Sequence, residues 1–183
     1  EDGWMGMAHS EIVAKKLQVL GYEFPAMKLL NLADYGLPQS RRRFIMVAVR
    51  KGDVSNFFNL LDQNKEEFLF DRNLPLKNNV ADALSDLLRS HGEAQCPDSK
   101  SFQSGVYSSA QTPFQRYMRN GARKATVPDS HRFAKHFPKT VKVFENVLKC
   151  APSNVGLRGE DAKKYGIKKR NVTLLDPKSP SPT

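Results

Sequence analysis

The chain is poor in cysteine, in long apolar runs and, past residue 100, in acid. Only Cys96 and Cys150 occur among 183 residues, in the contexts AQCPD and LKCAP. Neither has a partner at metal-ligand spacing. His131 and His136 are five apart with no cysteine pair near them, so no zinc framework is legible. Two reduced thiols are expected rather than a disulfide. No apolar stretch approaches the ~20 residues that span a bilayer, so no membrane partner is expected. The first residues show no secretory pattern, and the sequence begins at Glu1 rather than Met, the expected mark of a processed or cut polypeptide. The setting expected is intracellular: cytoplasm or nucleoid in a bacterium, nucleus in a eukaryote.

Acid is scarce where base is plentiful. Of 19 Asp and Glu, five lie beyond residue 100, against 16 of the 29 Lys and Arg. The whole formal charge of +10 therefore belongs to the second half. A one-sided basic field favours a polyanionic partner; the competing reading is plain solubility. Residues 113–142 concentrate it: Arg116, Arg119, Arg123, Lys124, Arg132, Lys135, Lys139 and Lys142 face only Asp129. Phe114, Tyr117, Phe133 and Phe137 are interleaved with them. Bases among aromatics suit a phosphate-tracking surface, although core is the expected place for most of these aromatics. Arg116 and Arg119, three apart on a short helix, are the leading phosphate candidates, with Arg123 and Lys124 beyond them.

The chain reads as α/β. AHSEIVAKKLQVLGY predicts a helix, with Ile12, Val13, Leu17 and Leu20 at helical spacing, Ser10 as cap and Gly21 as stop. YEFPAMKLLNLADYG reads as extended, its Pro25 pointing to an edge or a bulge. YGLPQS is a turn, and RFIMVAVRKGD is the clearest strand. VSNFFNLLDQ and NVADALSDLLRS predict short helices, the second with Leu84, Leu87 and Leu88 on one face. Residues 91–112 are small and polar and read as a long loop. PFQRYMRNG predicts a helix with Pro113 at its first position. FPKTVKVFENVLKCAP predicts another, with Val141, Phe144 and Leu148 inward. KKRNVTLLDPKSPSPT predicts a short strand and a proline-rich exit.

One stretch carries chemistry. In PQSRRRF, Gln39, Arg41 and Arg43 occupy alternate positions, so an extended backbone points them one way and Arg42 the other. Two guanidiniums anchored by a strand form a rigid clamp for phosphate or a carbonyl oxygen. LLNLADYGLPQSRRRFIMVAV resembles the eighth motif of the cytosine-5 DNA methyltransferases, in which Asn-x-x-x-Tyr-Gly-x-Pro-Gln-x-Arg-x-Arg lies between two strands. Asn31, Tyr35, Gly36, Pro38, Gln39, Arg41 and Arg43 match it in order and spacing. NVADALSDL, TPFQRYMRNG, DSHRF and LLDPKSPSPT resemble, more loosely, segments of that family's target-recognition region.

The resemblance implies a fold, a partner and a reaction. The fold is α/β: the last units of a Rossmann-like S-adenosylmethionine-dependent methyltransferase domain over 1–52, then a small mixed α/β target-recognition domain over 53–183 returning towards the catalytic domain. The reaction is transfer of a methyl group from S-adenosylmethionine to C5 of a cytosine flipped out of double-stranded DNA. By that resemblance Arg43 bonds the cytosine carbonyl, Arg41 holds the adjacent phosphate and active-site loop, and Gln39 is framework. The Pro-Cys-Gln nucleophile, the Phe-x-Gly-x-Gly cofactor loop and the Glu-Asn-Val motif are absent. Cys96 sits in the reverse order, Gln-Cys-Pro, and FENVL at 144–148 is read as a core helix. The chain is therefore expected to be an internal piece, inactive alone, with cofactor and nucleophile supplied by the remainder of the methyltransferase domain and with no metal. The alternatives are a non-catalytic or split-subunit DNA-binding module, a tRNA cytosine-5 methyltransferase, and a basic scaffold domain. No Cys-Phe-Thr triplet of the RNA branch occurs.

Overall fold

A computed structural model describes residues 8–120, 127–168 and 171–182. The chain divides into two compact units, one up to Lys77 and one from Asn78 to Pro182.

The first unit opens with α1 (Ala8–Val19). It ends in a Schellman motif: Gly21 takes φ +82°, its N–H reaches Gln18 O and the Tyr22 N–H reaches Leu17 O. The stop is where the sequence predicts it, but the cap is not, because Ser10 lies inside the helix and is buried. β1 (Ala26–Asn31) follows, with Pro25 just outside it. The extended reading fails over Leu32–Tyr35, which form a 3₁₀ turn. The cause is local: the Asn31 side chain accepts the Ala33 N–H and bends the chain out of the strand. Two extended residues, β2 (Gln39–Ser40), lead to β3 (Arg42–Val47). β1 and β3 pair antiparallel from Ala26 opposite Val47 to Asn31 opposite Arg42. α2 (Phe57–Phe70) runs seven residues past the predicted amphipathic run. Its extension is rich in helix-forming Lys and Glu and carries Leu69, which is buried with Phe58.

The second unit is built of short elements. α3 (Val80–Leu84) starts in a capping box: Asp82 N–H to Asn79 Oδ1 at 2.8 Å, and Asn79 N–H to Asp82 Oδ2 at 2.9 Å. Leu84 and Leu88 are exposed, so the predicted apolar face is not a buried one. The expected loop at 91–112 contains a hairpin, β4 (Glu93–Gln95) against β5 (Gln103–Gly105). These polar strands have little propensity of their own. Backbone pairing forms them, and Gln95 Nε2 closes the connection on Ser99 O (2.8 Å) and Phe102 O (3.0 Å). α4 (Pro113–Met118) has Pro113 in its first turn as predicted and a second capping box, Thr112 with Gln115.

α5 (Pro138–Cys150), β6 (Gly156–Leu157), α6 (Gly159–Lys164) and β7 (Val172–Thr173) complete the unit, with β6 and β7 antiparallel and β8 (Ser181–Pro182) at the end. The core joins Val147, Leu157, Ala162 and Ile167, flanked by Val143, Ala151, Tyr165, Val172 and Leu174. The inward stripe of α5 is therefore Val143 and Val147, continued by Ala151 at its C-cap, not Val141, Phe144 and Leu148. Leu148 is 66% exposed and Val147 only 3%. Sequence periodicity offers both stripes, and the small apolar partners at 157–174 select the first. Among the described residues no helix is long and apolar enough to cross a membrane. The fold is mixed α/β with small sheets.

Candidate functional site

The arginine motif is held from three sides within the first unit. Below it, the β1–β3 ladder fixes register: Arg42 lies opposite Asn31 and Arg43 opposite the buried Leu30. Alternation then puts Arg42 and Arg43 on opposite faces. Arg41 precedes the ladder, yet its carbonyl accepts the Leu32 N–H at 2.9 Å, so its backbone is tied too. Arg41, Arg43 and Gln39 are half-buried, and Arg42 is exposed. Arg43 Nη1 donates to the Arg42 carbonyl at 2.8 Å. At the turn, Gly36 takes φ +83° and its N–H bonds Leu32 O. A Cβ there would meet Leu69 Cδ2 at 3.0 Å, so the glycine is required by conformation and by space.

The third support was not legible in the motif. Tyr35 donates its hydroxyl to Asp62 Oδ1 on α2 at 2.6 Å. Lys28 on β1 bonds Asp62 Oδ2 at 2.5 Å. Lys65 lies 3.9 Å from the same carboxylate and 5.3 Å from the centre of the Tyr35 ring. This cluster explains the tyrosine of the motif: it clamps the turn to α2. Burial first, then the bond to Asp62, push the Tyr35 phenol up to about 12. The bonds from Lys28 and Tyr35 hold Asp62 below the usual carboxylate range. A phenol raised from about 10 in the unfolded chain contributes stability below pH 10 that is lost as pH climbs to about 12. Asp62 contributes above its unfolded value and loses this in acid. An ultraviolet titration of the native chain is expected to show one late tyrosine, absent in Tyr35→Phe; ordinary titration of all five would refute the clamp.

The basic segment is divided in its duties. Arg116 is exposed on α4, its Nη1 donating to the Gln111 carbonyl at 3.1 Å. Arg119 is engaged inside the unit: it pairs with the buried Asp86, donates to Ser108 O at 2.8 Å and lies 4.0 Å from the Tyr107 ring centre. Arg132 is paired with Asp98 at 2.6 Å. That pair, followed by the Cys96 thiol donating to the same carboxylate, holds Asp98 far below the usual range. Lys135, Lys139 and Lys142 are exposed. Arg123 and Lys124 lie outside the described residues. Tyr117 and Phe137 are exposed rather than core, Phe137 at the N-cap of α5.

A hollow of about 540 Å³ in the second unit is lined by Arg89, Gln103, Phe133, Lys135, His136 and Phe144 among others. Cys96 and Cys150 are free thiols, one buried and one exposed. Among the described residues no cluster of three metal-ligating side chains is gathered.

The site is thus a strand-borne Arg43, with Arg41 just ahead of it, beside a clamped glycine turn in a mixed α/β protein. The family model for C-5 cytosine-specific DNA methylase matches residues 7–171, and the chain belongs to that family. No curated protein and no solved structure matches it. Members of the family are DNA cytosine-5 methyltransferases that depend on S-adenosylmethionine.

Proposed function

We propose that this chain is the C-terminal part of a DNA cytosine-5 methyltransferase, supplying the arginine clamp for the flipped cytosine and the surface that recognises duplex DNA. Residues 1–52 end the catalytic, Rossmann-like domain, and residues 53–183 are the target-recognition region returning towards it. The observation that carries the reading is the Gln39–Arg41–Arg43 motif, mounted on a registered ladder and clamped through Tyr35 to Asp62. Arg43 donates to the cytosine carbonyl, Arg41 holds the neighbouring phosphate and the active-site loop, and Gln39 supports them. When the cytosine ring is attacked it gains negative charge, and a guanidinium already in place stabilises that charge without reorganising. Arg116 is the phosphate contact on α4, with Lys135, Lys139 and Lys142 adding to the basic field and Arg123 and Lys124 as further candidates. Nucleophile, glutamate and S-adenosylmethionine site come from the remainder of the methyltransferase domain.

The purified chain is expected to bind duplex DNA with affinity falling steeply as salt rises, by roughly 0.9 log unit per log unit of salt for each phosphate neutralised. It is expected to transfer no label from S-adenosylmethionine to DNA. Supplied with the upstream domain it is expected to methylate duplex DNA and not tRNA. Methylation by the chain alone would overturn the division of labour. Binding without methylation in the presence of the upstream domain would leave a DNA-binding module instead.

A further inference from the structure

Three separate segments of the second unit converge on three consecutive residues. Gln115, 1% exposed, donates from Nε2 to Ser85 Oγ at 2.8 Å, while its Oε1 accepts the N–H groups of Gln111 and Thr112. Arg119 pairs with Asp86, whose carbonyl also accepts the Ser108 N–H at 3.0 Å. His131 Nε2 lies 3.1 Å from Leu87 O, the bond of an Nε2–H tautomer. Just upstream, Thr112 Oγ1 donates to Asp82 O at 2.6 Å. Ser85–Leu87 is one 3₁₀ turn, and Asp86 is its buried member. The remaining polar atoms of the ion pair, Asp86 Oδ1 and Arg119 Nε, are buried with no other bond, so nothing substitutes for the pair if it is broken.

We propose that Asp86 and Arg119 are positioning residues: the turn 85–87 is the keystone that fixes α4 and thereby sets where Arg116 meets DNA. Arg119 then acts through the fold and does not touch phosphate. The part concerning Arg116 rests on the DNA-binding reading above. Simple electrostatics and the keystone make opposite demands. If Asp86 only subtracts charge from a DNA-binding face, Asp86→Asn tightens binding. If it holds α4, Asp86→Asn weakens binding, because Arg116 loses its register.

The experiment uses the full chain and a short duplex, with Asp86→Asn, Arg119→Lys and the double variant. Affinity is measured across a salt series, and amide hydrogen exchange is followed along the chain. The keystone requires both single variants to weaken binding by about tenfold, the double to be no worse than either, and the salt slope to fall by roughly 0.9 as one phosphate contact is lost. It also requires exchange to quicken over 107–119 but not over α5. Arg119→Lys is the discriminating variant: lysine keeps the charge but cannot bond Asp86 and Ser108 O together while stacking on Tyr107. Tighter or unchanged binding in Asp86→Asn, or retained binding in Arg119→Lys, overturns the proposal. If the parent chain binds no duplex, the DNA reading fails separately; unaltered exchange over 107–119 then overturns the keystone, and quickened exchange in both variants upholds it.

Discussion

Arg43→Ala, introduced into the complete methyltransferase, is expected to lower kcat by about 10²- to 10³-fold, the usual consequence of losing one preorganised donor to a developing charge. Affinity for the duplex is expected to stay within about twofold, because a base contact made after flipping adds little to the phosphate-dominated encounter. The geometry supports this split. Arg43 sits inside the β1–β3 ladder opposite a buried leucine, so its Cα does not move to suit a ligand. A fixed stem removes the backbone share of the ordering entropy that a loop-borne arginine would pay during the reaction. Arg43→Lys keeps the charge but loses the planar fork, so it is expected to recover only part of the rate. Arg41→Ala is the contrasting variant, with a weaker grip on the duplex and a lower salt slope accompanying any loss of rate. Single-turnover kinetics beside equilibrium binding separate the two effects. Full turnover in Arg43→Ala would remove that residue from the chemistry.

The parts of the fold that sequence made legible are those whose causes are local. α1 announced its end through Gly21, α4 its start through Pro113, and β3 itself through an unbroken apolar run. What escaped depends on residues far apart in the chain. The strands of the 93–105 hairpin read EAQ and QSG, and no alternation of apolar residues betrays them. The inward stripe of α5 was undecidable until Leu157, Ala162 and Ile167 supplied a partner. The same division runs through the site. The spacing of Gln39, Arg41 and Arg43 is legible because it lies within five consecutive residues, of which β3 takes up Arg43. Asp62 was not visible, because it reaches Tyr35 across 27 residues and Lys28 across 34. Arg119 looked like a phosphate ligand because its sequence neighbours are basic; its partner Asp86 is 33 residues upstream. Composition reports how much charge a segment carries, and only the contacts report how much of it is already spent.

Gly36→Ala is expected to be the most damaging single methyl group in the first unit. Two costs add. An alanine at φ +83° carries the left-handed penalty of about 1–2 kcal/mol. Its Cβ would also stand 3.0 and 3.2 Å from the two methyl carbons of Leu69 and 3.4 Å from Pro75 O. Leu69 is 5% exposed, so it has no open side to retreat to, and overpacking of this kind costs roughly 1–3 kcal/mol more. The sum, about 2–5 kcal/mol, is a large share of what holds a small domain together. Gly21 provides the internal control: its φ is +82°, but nothing lies within 4 Å of its missing Cβ. Gly21→Ala should therefore shift the denaturation midpoint by the conformational penalty alone, and the gap between the two variants measures the packing against Leu69. In a double-mutant cycle Gly36→Ala should cost less in a Leu69→Ala background than in the parent, since Leu69→Ala removes the methyls the new Cβ strikes. Equal shifts at the two glycines would mean that the 35–38 turn is not braced by α2, and the rigid mounting of Arg41 and Arg43 would lose its physical basis. Unequal shifts, with catalysis in the complete enzyme falling further in Gly36→Ala than in Gly21→Ala, would tie the glycine of the motif to its arginines through one buried leucine.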